Sequence, residues 1–377
     1  MTPVILLTGF LGSGKTTLLQ RLLRDPALEN TAVLVNEFGE VGLDHHLLDR
    51  IDENVVLLKS GCICCTVRGE VADALSNLHS MRTRGELDFD RVVIETTGLA
   101  DPYPVLQTLT AHPVLRSHFS NGGVMTTVDA VNAEMQVAHR AEAVRQIAAA
   151  DRILLTKTDL APEGADAALR RRLLRINPAA TVLTSMDPVA RIMRDFGPAV
   201  LDGTQALAHV GSQEAACAAG TCDHDEHHHH HHSHAHDADE THDHHDHHSH
   251  AHHHHAQDTH SHHDEALGVT SFFLQIDDGI DWTMFGTWLT LLLYHYGDRI
   301  FRVKGILAIE GEDRPVAIHG VQHLVHAPTH MENWPVGANG QPLRQSRLVF
   351  ILEGIEPERI RRSFEAFMGT DRVRAVA

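Results

Sequence analysis

Val4-Ile-Leu-Leu-Thr-Gly9-Phe-Leu-Gly12-Ser13-Gly14-Lys15-Thr16-Thr17 reads as an apolar strand, a glycine-rich turn and the start of a leucine-rich helix. The pattern Gly-x-x-x-x-Gly-Lys-Thr in that setting is a phosphate cradle. Glycines let the backbone curl so that successive N–H groups face an anion at the positive end of the helix. Gly9, Gly12, Ser13, Gly14, Lys15, Thr16 and Thr17 are therefore the expected nucleotide contacts. Lys15 is expected to reach the β- and γ-phosphates, and Thr16 to offer its hydroxyl to Mg²⁺.

Outward from this turn, the first 200 residues alternate short apolar runs with longer helical patterns. Strands are expected at Val4–Thr8, Thr31–Val35, Asn54–Leu58, Arg91–Glu95, Gly123–Val128, Arg152–Thr156 and Thr181–Leu183. Helical stretches fall between them, at Val67–Arg84, Pro104–Ala111 and Ala141–Ala150 among others. Runs such as Val92-Val-Ile94 and Ile153-Leu-Leu155 are apolar throughout, as when both faces of a parallel sheet are covered. The fold class is α/β, a P-loop NTPase with a doubly wound, mostly parallel sheet, followed by a small α+β C-terminal domain. The domain boundaries read 1–203, 204–266 and 267–377, the middle segment being a His/Asp-rich linker with little to fill a core. In the last segment Asp281–Tyr296 reads as an amphipathic helix whose Trp282, Phe285 and Trp288 are most simply core residues. His319, His323, His326 and His330 read as structural or surface histidines.

Val92-Val-Ile-Glu95-Thr-Thr-Gly98 ends a strand with an acid, and a glycine follows three residues later. An acid in that place can hold Mg²⁺ directly or through water, and the glycine N–H can sense a γ-phosphate. Lys15, Thr16, Glu95 and Gly98 are thus the catalytic candidates. Further on, Thr156-Lys157-Thr158-Asp159 follows a buried strand and resembles the guanine reader Asn-Lys-x-Asp. The Asp159 carboxylate can accept from guanine N1–H and the exocyclic amine, and Lys157 can lie over the purine. Thr156 replaces the usual Asn, so the amide that braces the loop is expected to be missing. GTP rather than ATP is the expected nucleotide.

Gly61-Cys62-Ile63-Cys64-Cys65 supplies three of the chain's five cysteines within four positions. Three thiolates suit a soft or borderline ion such as Zn²⁺ or Co²⁺, and a single cluster leaves a fourth position for an exchangeable ligand. Glu37, in Asn36-Glu37-Phe38-Gly39-Glu40, is a candidate for either Mg²⁺ or the soft ion. The rival readings are apolar filler cysteines and a redox pair. Residues 223–264 hold 22 of the 34 histidines, including the unbroken run His227, His228, His229, His230, His231 and His232. Imidazoles in such number bind transition metals without imposing one geometry, as a buffer or antenna; the alternative is a solvated linker.

The formal charge is −19, but eleven acids within residues 223–265 account for most of it. With no basic face, nucleic acid is not an expected partner. The apolar start is too short for a leader or membrane span, so no membrane association and a cytoplasmic location with reduced thiols are expected.

With these residues assembled, the chain resembles the CobW family of GTP-dependent metallochaperones, which includes nitrile hydratase activators and zinc chaperones. The resemblance rests on Gly9–Thr16, Asn36–Glu40, Gly61–Cys65, Glu95–Pro102 and Thr156–Asp159, with Arg302-Val-Lys-Gly305 in the C-terminal part. It implies a GTPase that produces GDP and phosphate. It also implies a metal site at Cys62, Cys64 and Cys65, with loading favoured by GTP and release to a client metalloprotein on hydrolysis. Zinc is the expected cargo, with cobalt as the other candidate. The competing readings are a histidine-rich metal store without productive switching, an activator inserting iron or cobalt into a nitrile hydratase-type enzyme, and a P-loop metabolic kinase. Homo-oligomer formation is left open.

Overall fold

A computed structural model describes residues 1–35, 57–59, 67–162, 164–193, 268–336, 341–369 and 373–376. Asn36–Glu40, Gly61–Cys65 and the histidine tract lie outside the described residues. The N-terminal part contains β1 (Thr2–Gly9), α1 (Lys15–Leu23), β2 (Thr31–Val35), β3 (Leu57–Lys59), α2 (Val67–Thr83), β4 (Arg91–Glu95) and α3 (Tyr103–Ala111). It continues with α4 (Pro113–His118), β5 (Phe119–Asp129), α5 (Ala133–His139), α6 (Ala141–Ala149), β6 (Arg152–Thr156), α7 (Ala165–Ile176), β7 (Thr181–Thr184) and α8 (Val189–Met193). The described strands form one sheet in the order β3-β2-β4-β1-β5-β6-β7, all neighbours being parallel.

Successive residues of β1 face opposite sides of this sheet. Val4 and Leu6 join Leu75 and Leu78 of α2, Leu106 and Leu109 of α3, and Val144 and Ile147 of α6. Ile5 and Leu7 join Leu18, Leu19 and Leu22 of α1 and Ile192 of α8. Two apolar faces explain why the strand sequences lack alternation. The helices Pro113–His118 and Ala133–His139 escape sequence reading because each is under two turns long. Their apolar residues are too few to show a period.

The C-terminal part contains β8 (Val269–Ile276), α9 (Trp282–Tyr296), β9 (Ile300–Leu307), β10 (Val316–Val321), β11 (Leu324–Val325), β12 (Thr329–His330), β13 (Ser346–Glu353), α10 (Pro357–Met368) and β14 (Val373–Val376). Its sheet runs β11-β10-β9-β13-β8-β14, with antiparallel neighbours, and β12 pairs with β10. Phe272, Leu274 and Phe350 face α9 and α10, where Trp288 meets Phe364 edge-on at 4.9 Å. Trp282 departs from the core expectation. It opens α9 and remains 41% exposed, because the first residue of a helix overhangs the end of the sheet it packs on.

The opposite face of the C-terminal sheet, through Phe273, Phe301, Val349 and Ile351, merges into the N-terminal core. Arg302 is buried there and donates to the carbonyl of Ala149 at 2.5 Å and to the Asp151 carboxylate. Lys304 Nζ lies 3.7 Å from the same carboxylate, whose other oxygen accepts the Val124 N–H. An unpaired guanidinium in this place would be costly, so Arg302 and Asp151 fix the register of one domain on the other. Burial pushes the Asp151 carboxyl up, but Arg302 and Lys304 outweigh it and hold it well below its ordinary range. His319 and His326, with rings 4.9 Å apart, are held below the usual imidazole range by burial first, and by Arg302 as the main repulsive charge.

Both effects destabilise the fold in acid. The buried imidazoles stay neutral where the unfolded chain takes up protons, so stability falls as pH drops below about 6.5. Asp151 adds a loss below about 4, where only the unfolded carboxyl is protonated. Stability from thermal melts is expected to stay level from pH 8 to about 6.5 and then to fall towards pH 5, by up to about 1.4 kcal/mol per pH unit for each proton. His319→Gln should flatten that slope.

Candidate nucleotide site

The phosphate turn is built where β1 ends against β5. Gly9 has φ 143°, and a Cβ there would lie 2.3 Å from Thr127 Oγ1 and 2.5 Å from the Thr127 carbonyl. Only glycine fits. Gly12 and Gly14 have φ 72° and 85°, in the left-handed region that glycine adopts without strain. Ser13 Oγ pairs with Thr127 Oγ1 at 2.7 Å and is buried, tying the turn to β5. Helix α1 then starts at Lys15 with no side-chain cap and no acid in its first turn. Its terminal N–H groups and the positive end of its dipole remain suited to an anion.

Lys15 is nearly buried, and its ammonium donates to the carbonyls of Gly9 at 2.9 Å and Phe10 at 3.3 Å. The positive charge therefore sits inside the turn. Thr16 Oγ1 donates to Glu95 Oε1 at 2.6 Å, so the two residues read as Mg²⁺ ligands lie side by side. A hydroxyl and a carboxylate are hard oxygen donors, the type Mg²⁺ takes. Thr17 is exposed on the next position of the helix. Gly98 is buried against the turn, and a Cβ there would lie 2.7 Å from both the Cα and the N of Leu11. Gly9, Gly12, Ser13, Gly14, Lys15, Thr16, Glu95 and Gly98 thus share one crevice at the carboxyl ends of β1 and β4, where open α/β sheets bind ligands.

The Thr156–Asp159 loop follows β6. Thr156 Oγ1 donates to the Ser13 carbonyl at 2.8 Å and lies 3.3 Å from the Val128 carbonyl. The amide is missing as expected, and the Thr156 hydroxyl supplies a hydrogen bond that ties this loop to the glycine-rich turn. Thr156 reaches because β6 passes close to the turn, with its side chain 3.6 to 3.8 Å from a Cβ built on Gly14. Lys157 adopts φ 55° and pairs with Asp129 at 2.7 Å, while Asp159 stands exposed two residues on. Burial pushes the Asp129 carboxyl up, but hydrogen bonds from Lys157, Asn132 and the Val131 N–H more than offset it and hold it below its ordinary value. The turn after β7 is joined to α1, since Arg21 donates to the Asp187 carbonyl at 2.6 Å.

Sequence reading missed Thr127, Asp129 and Gln146. Gln146 donates to the carbonyls of Gly98 at 3.2 Å and Ala100 at 3.0 Å. A polar residue beside Val144, Ile147 and Ala148 on the buried side of a short helix was the available signal. Cys62, Cys64, Cys65, Glu37 and His227 to His232 lie outside the described residues. Among the described residues no group of three or more His, Cys, Asp or Glu could hold a metal ion, and no helix is long and apolar enough to cross a membrane.

Residues 3–184 match the family described as CobW/HypB/UreG, nucleotide-binding domain, and residues 269–368 match the cobalamin synthesis protein cobW C-terminal domain. The zinc chaperone YjiA of Escherichia coli is 47% identical over 181 residues, covering 48% of this chain and 56% of that protein. The chain spans about half the length of the curated relatives it matches. A crystal structure of Zn(II)-bound YjiA GTPase from E. coli has a TM-score of 0.61 at 29% identity, covering 97% of this chain and 99% of that one. A Zn(II)-bound YjiA triple mutant, with one glutamate and two cysteines changed to alanine, has a TM-score of 0.62 at 29% identity over the same shares.

Thr156→Val removes the donor to the buried Ser13 carbonyl while keeping the side-chain shape. It is expected to weaken GDP and GTP binding alike by about tenfold, roughly 1.4 kcal/mol. Thr156→Ser should retain wild-type affinity, as read by calorimetric titration.

Proposed function

This chain belongs to the CobW family, and from that premise we propose that it hydrolyses GTP and uses the cycle to load and release a divalent transition metal. The cargo is zinc, bound at Cys62, Cys64 and Cys65, with cobalt as the other ion suited to such ligands. The carrying observation is the register of the sheet. Lys59, Val35 and Glu95 stand on one rung of β3, β2 and β4. Two strand spacings separate Lys59 from Glu95, about 10 Å. Cys62 is three residues beyond Lys59, a span of up to about 11 Å. β2 lies between them, and Asn36 follows its last residue in sequence. Any change in charge beside Glu95 therefore acts within reach of both segments that carry the thiolates and Glu37.

The roles follow from the site. Lys15 and the N–H groups of α1 hold the phosphates, and Thr16 and Glu95 would hold Mg²⁺, which neutralises charge on the β- and γ-phosphate oxygens. Gly98, packed against Leu11, lies on the loop that meets the γ-phosphate. Asp159 reads guanine, Lys157 covers its face, and Asp129 holds the Lys157 ammonium. YjiA is described as Zn(II)-bound both in its unaltered form and with one glutamate and two cysteines changed to alanine, which supports zinc as the ion here. The chain divides as 1–203, a nucleotide-dependent carrier, 204–266, a histidine-rich metal buffer, and 267–377, which presents the carrier to a client metalloprotein.

Linkage makes the coupling reciprocal: if GTP tightens zinc binding, zinc tightens GTP binding by the same factor. With residues 223–264 deleted, zinc is expected to bind at least about tenfold more tightly with a non-hydrolysable GTP analogue and Mg²⁺ than with GDP. Cys64→Ala should abolish the difference. Equal zinc affinities in the two nucleotide states would sink the proposal. Asp159→Asn is expected to exchange GTP preference for XTP preference, because an amide can donate to the xanthine C2 carbonyl; turnover with each nucleotide is the measurement.

A further inference from the structure

Helix α6 touches the nucleotide site on one side and the C-terminal domain on the other, through two consecutive residues. Gln146 is 1% exposed, and its amide nitrogen bridges the carbonyls of Gly98 and Ala100. Its own carbonyl accepts from Thr126 Oγ1 at 2.8 Å, anchoring this turn of α6 to β5. Its side-chain oxygen is buried with no hydrogen-bond partner among the described residues. That is an expensive residue to bury for packing alone, since Leu or Met would fill the space without the desolvation cost. What the cost secures is the position of the peptides around Gly98.

Arg145, the preceding residue, lies 3.8 Å from the Asp101 carboxylate and 3.7 Å from the Glu353 carboxylate on β13. Its guanidinium also sits 5.9 Å from the centre of the Phe301 ring, which stacks on Tyr103 at 5.6 Å. Asp101 and Tyr103 follow Gly98 by three and five residues. The segment from Gly98 to the start of α3 is thus gripped at its near end by Gln146 and at its far end by Arg145 and Phe301, with Glu353 paired to Arg145. Gln107 on α3 extends the same contact by donating to Gln322 at 2.9 Å.

We infer that Gln146 is a positioning residue for the γ-phosphate: it fixes the Gly98 loop from α6, and Arg145 makes the docking of the C-terminal domain part of the same clamp. The inference rests on the GTP-cycle reading above. GDP lacks the group that meets this loop, so a change in loop position must alter GTP binding and leave GDP binding nearly untouched. A merely structural role would weaken both nucleotides together. Nucleotide state would then reach the C-terminal domain through Asp101 and Tyr103, with no separate relay.

The test is the ratio of affinities for a non-hydrolysable GTP analogue and GDP, measured on the full chain with Mg²⁺. Gln146→Met keeps side-chain length and loses both donors. It is expected to weaken the GTP analogue by about tenfold, hold GDP within about twofold, and lower kcat more than it raises KM. Arg145→Gln and Glu353→Gln lie at partly exposed positions and provide the reading if Gln146→Met does not fold. Each should shift the same ratio in the same direction by about threefold. Equal weakening of both nucleotides, or an unchanged ratio in the folded variants, would overturn the inference. A wild-type chain that binds neither nucleotide would instead count against the GTP reading itself.

Discussion

The nucleotide site depends on backbone approaching backbone with no room for side chains. Gly9 lies against Thr127, and Gly98 lies against Leu11, each so close that a single Cβ would displace a neighbouring strand or turn. These two contacts set how near the ends of β1, β4 and β5 stand to one another. The hydrogen bonds of Ser13 to Thr127, Thr16 to Glu95 and Thr156 to Ser13 then close at 2.6 to 2.8 Å around the same turn. Hydrogen bonds of that length tolerate little displacement, so the glycines act first and the polar network follows.

The same economy of distance shapes the domain interface. One face of the C-terminal sheet is continuous with the N-terminal core, and a buried guanidinium donates to groups of the other domain. A charge that must find its partners across an interface gives directional registry that apolar packing lacks. The interface also reaches the loop after β4, because α3 and α6 are at once walls of the nucleotide domain and the platform on which the C-terminal sheet rests. The candidate nucleotide site and the docked C-terminal sheet therefore share elements.

Much of this was legible in the residues. The strands of the parallel sheet were marked by short apolar runs, and the phosphate turn by its motif. The positions of Glu95 and Gly98 beside the glycine-rich turn were readable from their place at the end of such a run. What escaped notice were side chains whose role depends on a neighbour far along the chain. Thr156 lacks the usual amide, and only the approach of β6 to the glycine-rich turn shows its hydroxyl bonded to Ser13. Trp282 looked like core because its helix is apolar, yet its place at the first turn leaves it exposed. Asp129 and Gln146 belong to no recurring pattern; each is one polar residue at the edge of an apolar segment.

From its residues alone, this protein's fold class and its glycine-rich turn follow, because glycine placement and apolar periodicity are local properties of the chain. Lys15 and Thr16 stand out there by residue type and spacing. The three-dimensional arrangement alone decided which groups meet across long separations: Thr156 with Ser13, Lys157 with Asp129, Gln146 with the Gly98 loop, and Arg302 with Asp151. Such pairings form when strand order and helix packing bring distant segments within hydrogen-bonding range, and no local pattern encodes that distance.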